Sequence, residues 1–315
     1  MPCVKNHISA GNDLETVLLQ YSAFLCVTPF LPLAPFGFIN AFILSHSAHF
    51  HPFYTAIPGI YGKSVSKAEA VATTVNMLIG ELLHRSRREE GYRDYFDIAV
   101  LGYHDEVVEP LLCKGKRLFV KPSELYERDT PRLQIQRERK LPDGRTLFSV
   151  VEQREWITPF AQGQTPMHAA FLKAYELVRD WCAIRAHGAC YPPVVFNITD
   201  GEASDCDEAG LEEIAARIRQ VGTSDGNTLL MNIHISSDLS KVPVVFASSE
   251  EELPDQRYAR LLYRVSSEMP PLYNESIAAL RGCQPEIFRG MSYNASMTDL
   301  IGMMNIGSVS VTLMD

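Results

Sequence analysis

Four apolar runs, each too short for a typical helix, constrain this chain more than any other feature. They are FGFINAFIL (36–44), FDIAVLGY (96–103), VVFNI (194–198) and TLLMNIHI (228–235). A strand covered on one face alternates apolar and polar residues. A strand without that alternation is buried on both faces, as in a parallel sheet between two helical layers. The intervening segments have helical period. Ser66 and Glu69 read as a capping box, and Val71, Ala72, Val75, Leu78, Ile79 and Leu82 continue as one apolar stripe. The same period recurs over 167–184, 211–221 and 254–266, and a last strand and helix are expected after Ile287.

Strands alternating with helices of a dozen or more residues imply parallel pairing with right-handed crossovers. The expected fold class is therefore α/β: a doubly wound, mostly parallel central sheet with helices on both faces. Residues 1–35 read as an N-terminal extension, and 36–315 as one domain. A more polar, hairpin-bearing insertion is expected near 105–160, around Leu147–Val151 and the turn Pro142-Asp143-Gly144. A short apolar run spans Val242–Phe246, and Arg85, Arg87 and Arg88 read as the basic end of a helix.

Composition removes several function classes. At 315 residues and 46% hydrophobic content the chain can bury a full core. The net charge of −9, with no dense basic run, argues against nucleic acid as a partner. The seven cysteines form no CxxC pair, which speaks against a disulfide framework or a structural zinc site and for reduced thiols in the cytoplasm. Between Glu15 and Lys63 there is no Asp, Glu, Lys or Arg, where the chain average would place about ten. Val17–Val27 is apolar, but Pro29, Pro32 and Pro35 interrupt it before the roughly 20 residues a membrane span requires. No membrane partner is expected, and Lys5 followed by Asp13 and Glu15 does not read as a secretory leader.

In a parallel sheet, ligands sit beyond the carboxyl ends of the strands. Three loops there carry chemistry: Ser45-His46-Ser47-Ala48-His49, Gly163-Gln164-Thr165-Pro166-Met167, and Asn197-Ile198-Thr199-Asp200-Gly201-Glu202. Hydroxyls and a carboxylate at adjacent strand ends suit a hard divalent ion. Each is equally open to an N-cap or turn role. His46, His49 and His51 invite a zinc reading, although no fourth ligand stands out. A metal-dependent hydrolase using these histidines with Asp200, or a serine hydrolase using Ser47, is the enzymatic alternative. No G-x-S-x-G elbow supports the latter.

The order of an apolar strand, an S-x-S loop, an amphipathic helix, GQTPM and VVFNITDGEASD resembles the von Willebrand factor A (vWA) family, in particular its bacterial intracellular, tellurium-resistance and stress-type branch. KAEAVATTVNMLIGELL, DYFDIAVLGY, TSDGNTLLMNIHIS and LLYRVSSEMP resemble that branch too, so the likeness covers roughly residues 60–307. The resemblance implies a non-enzymatic protein-binding or scaffolding module with a metal ion-dependent adhesion site, in which bound Mg²⁺ or Mn²⁺ engages an acidic side chain of a protein partner. By position, Thr165 matches the family's threonine and Asp200 its second aspartate. Ser45, Ser47 and His49 stand where a D-x-S-x-S loop has Asp, Ser and Ser, so only Ser47 keeps its type. A serine supplies no carboxylate, and a hard cation prefers anionic oxygen, so the resemblance implies a degenerate, weakened site. The broken motif coincides with the charge-free stretch. Evolved loss of the metal site, or a first 55 or so residues from a shifted reading frame, both account for it.

Overall fold

The computed structural model describes residues 38–45, 66–113, 115, 117–140, 146–160, 163–199, 202–236 and 242–306, all in the unit Pro35–Asp315. The extension expected over residues 1–35 lies outside the described residues.

The chain runs β1 (Phe38–Ser45), α1 (Lys67–Ser86), β2 (Phe96–His104), β3 (Val107–Pro110), α2 (Pro122–Glu127), β4 (Arg132–Lys140), β5 (Thr146–Arg154), α3 (Met167–Cys182), β6 (Val194–Thr199), α4 (Glu208–Gln220), β7 (Leu229–His234), β8 (Val244–Val245), α5 (Arg257–Val265), α6 (Asn274–Arg281), β9 (Met291–Tyr293) and α7 (Met297–Ile306). Seven strands form one mixed sheet in the order β8-β9-β7-β6-β1-β2-β3. β2, β1, β6, β7 and β9 are mutually parallel, while the edge strands β3 and β8 run antiparallel to their neighbours.

Alternation along each strand divides the core in two. Val194, Phe196, Ile198, Leu229, Met231 and Ile233 join one apolar cluster with α1, α6 and α7. Val195, Leu230, Met291 and Tyr293 join a second with α3, α4 and α5. Both faces of the sheet are thus covered, which is why its strands read as unbroken apolar runs.

α1 begins as the sequence indicates. Glu69 N–H donates to Ser66 Oγ at 3.2 Å, and Ser66 N–H donates to Glu69 Oε2 at 2.7 Å. Its interior carries Gly80, which costs about 1 kcal/mol relative to alanine. A Cβ at Gly80 would meet nothing within 4 Å. The insertion hairpin β4–β5 pairs from Arg132↔Arg154 to Lys140↔Thr146. Asn76 of α1 fastens the chain just after it, donating to the Ile157 carbonyl at 2.7 Å and accepting from the N–H groups of Trp156 and Ile157 at 2.9 Å.

Three local readings are corrected. Val107–Pro110 belongs to the main sheet, because a two-residue turn after His104 folds it straight back onto β2. Arg87 and Arg88 do not end α1; they pair with Gly91–Tyr92 in a short hairpin. α6 was not anticipated at all. Among the described residues no helix is long and apolar enough to cross a membrane.

Candidate functional site

The parallel strands end together. β1 stops at Ser45, β2 at His104, β6 at Thr199 and β7 at His234. Ser45 is in register with Tyr103, and Leu44 with Ile198 on the other side. Ser45 therefore closes β1, an interior strand, and its neighbour β6 ends one residue before Asp200.

Around this edge three loops are tied together. Asp105, at φ +49°, donates its N–H to the Gln164 carbonyl at 3.1 Å and accepts from Gln164 N–H through Oδ1 at 3.3 Å. Gly163 sits at φ +62°, and a Cβ there would fall 1.4 Å from Asp105 Oδ1, so no side chain fits. From the other side, Ser204 N–H donates to the Thr165 carbonyl at 2.9 Å, and Thr165 N–H donates to Ser204 Oγ at 3.0 Å. Asp205 accepts from His168 N–H at 3.0 Å and Ala169 N–H at 2.9 Å. The α3 N-cap position is Pro166, which offers no capping side chain. Asp205 replaces it from another loop, setting a carboxylate where the first-turn N–H groups and the helix dipole favour one. Next to it, burial and the Asp205 and Asp207 carboxylates push the Cys206 thiol up to about 11, away from the reactive thiolate.

Beneath the loops runs a ladder of buried polar groups. Tyr103 Oη donates to Asn197 Oδ1 at 3.1 Å, Asn197 Nδ2 to Asn232 Oδ1 at 2.8 Å, and Asn232 Nδ2 to Ser266 Oγ at 2.9 Å. The Ser266 hydroxyl donates to the Leu262 carbonyl at 2.7 Å. One line of hydrogen bonds thus joins β2, β6, β7 and the end of α5.

Of the residues expected to hold a metal, Thr165 is buried, at 3% exposure, and its hydrogen bonds among the described residues are all made by its backbone. Ser45 is located by its strand pairing. Ser47, His49 and Asp200, with His46 and His51, lie outside the described residues. Among the described residues no group of three or more His, Cys, Asp or Glu could hold a metal ion. The two described carboxylates beside Thr165 do not replace the aspartate absent at Ser45: both Asp205 oxygens serve α3, and Asp105 Oδ1 serves Gln164. Among the described residues alone, hydroxyls beside carboxylates already in use do not make a tight Mg²⁺ site. Sequence reasoning missed Asp105, Ser204 and Asp205. The last two end the segment VVFNITDGEASD, of which it singled out Asp200 but not Ser204 or Asp205.

Neither a protein-family model nor a curated protein matches the chain. Solved structures similar to it include a von Willebrand factor type A protein from Catenulispora acidiphila, at 11% identity and a TM-score of 0.34. That match covers 64% of this chain and 33% of the other, so the chain spans about a third of that protein. The SpRpn10 VWA domain is similar at 10% identity and a TM-score of 0.35, over 73% of this chain and 82% of that one. TM-scores this low leave the fold to rest on the chain's own strand order and pairing.

Proposed function

We propose that this chain is a vWA-type protein-binding module that engages its partner with the loops at the carboxyl edge of the sheet and carries out no chemistry there. The observation that supports it most is the fixed Gly163–Met167 loop, pinned by Asp105 on one side and by Ser204 and Asp205 on the other. A rigid polar loop cluster at the strand ends is a preorganised contact surface. Strand order supports the same reading. Numbered in chain order within the sheet alone, the strands run 3-2-1-4-5-7-6, an order that supports a doubly wound reading with a switch point between β1 and β6. Ser45 ends the first of those two strands, and Asp200 follows the second in sequence. With Ser45 in place of an aspartate, Mg²⁺ or Mn²⁺ is held weakly or not at all, and partner binding does not depend on it. A cytoplasmic scaffold in a bacterial stress or signalling system fits this chemistry.

The test pairs affinity capture on wild type and Asp200→Ala with thermal unfolding in Mg²⁺, Mn²⁺ and Zn²⁺. A ligand that binds only the folded state at about 100 times its dissociation constant adds about 2.7 kcal/mol, well within detection. The expected outcome is loss of a captured partner in the variant, with a negligible response to Mg²⁺ and Mn²⁺. Equal capture by both proteins places binding elsewhere. Stabilisation by Zn²⁺ alone, abolished by His49→Ala, overturns the reading in favour of the histidine cluster and an enzyme.

A further inference from the structure

A cavity of about 340 Å³ lies between the second half of α1 and β5, sharing no residue with the strand-end loops. We propose that it is a binding site for a small planar aromatic acid.

Its shape comes from Gly80. Glycine is a poor helix former, and here it stands inside a helix with nothing within 4 Å of where its Cβ would be. Protein packing does not require the glycine; the space in front of it is part of the cavity. Tyr92, Tyr126 and Trp156 also line it. Tyr92 and Tyr126 stack at 4.1 Å between ring centroids, and Arg154 lies 5.5 Å from the ring centres of both Tyr126 and Trp156. Arg154 is fixed there because it donates to the Tyr126 carbonyl at 2.8 Å, to Thr130 Oγ1 at 3.1 Å and to the Arg128 carbonyl. A fixed aromatic lining with an unfilled glycine in it suits a flat ring.

Charge selects the substituent. The two lining carboxylates are already paired, Glu81 with Arg85 at 3.2 Å and Glu152 with Arg132 at 2.8 Å. The lining side chain of Arg87, one residue past α1, has no ion pair or hydrogen bond among the described residues. The unspent charge is therefore cationic, which matches a carboxylate.

Isothermal titration of the whole chain tests this with three probes: indole-3-acetate, tryptamine and acetate. Indole-3-acetate is expected to bind, and tryptamine, with the same ring but an ammonium group, at least about tenfold more weakly. Acetate alone is expected to show no heat of binding. Gly80→Leu should abolish binding by filling the cavity, and Arg87→Ala should weaken it about tenfold. Both variants should keep the wild-type circular dichroism, since Gly80 faces open space and Arg87 is exposed. Absence of indole-3-acetate binding overturns the proposal. So does equal affinity for tryptamine, or full affinity in folded Gly80→Leu.

Discussion

One face of the sheet is stitched by amides and hydroxyls running from Tyr103 through Asn197 and Asn232 to Ser266; the other, under α1, α6 and α7, is aliphatic and aromatic. The same strands serve both, so the difference rests on single alternating positions. Phe196 and Asn197 are consecutive in β6, both fully buried, and point to opposite sides. Apolar contacts tolerate sliding, whereas each hydrogen bond in the ladder ties one element to another at a fixed position, and a broken one leaves a costly orphan. The stitched face is also the one carrying α3, whose start is held by Asp205 beside Thr165. Position-specific bonding is concentrated where the loops need fixed geometry, and bulk burial elsewhere.

Removing one residue from each face measures the contrast. Phe196→Ala should cost about 3–5 kcal/mol of unfolding free energy in urea denaturation, by lost burial and a residual cavity. Asn197→Leu keeps the volume but removes the donor to Asn232 Oδ1 and the acceptor used by Tyr103 Oη, and should cost about 1–3 kcal/mol. If Asn197→Leu proves neutral, the ladder contributes nothing net and the two faces are equivalent. Combining it with Asn232→Leu should cost less than the sum of the two, because the second change removes a partner already orphaned. The smallest effect is expected at α1. Gly80→Ala should stabilise the protein by about 0.5–1 kcal/mol, since helix propensity improves and the Cβ meets no neighbour. A loss instead would mean that the space before Gly80 is packed in solution.

The central strands were legible because burial on both faces erases polar alternation, and α1 was legible because Ser66 and Glu69 cap it as a pair. What escaped the sequence has physical reasons. β3 has only four residues, alternating exposed and half-buried, and its role depends on pairing with β2. α6 spans only eight residues, too few for a periodic signal, although Gly282 at φ +66° is the left-handed residue that ends it. Asn197 falls both in the strand run VVFNI and in the strand-end loop as read from the sequence. Only the neighbours at Tyr103 and Asn232, 94 and 35 residues away, show what its buried amide bonds to. The candidate site was legible in its location and in Thr165. Asp105, Ser204 and Asp205 were not, since a carboxylate capping a helix it does not belong to leaves no local pattern.

β1 is the first strand of the sheet among the described residues and lies in its interior. It pairs with β2 on one side and β6 on the other, so Asn40 waits for Val194. That contact spans about half the chain, and loop closure over such a distance slows folding. During synthesis at about 5–20 residues per second, β6 emerges many seconds after β1. For that interval FINAFILS presents one open backbone edge, with no Lys, Glu or Asp along it to deter a foreign strand. A strand enclosed on both sides in the finished sheet is therefore open to misassembly while the molecule is being made.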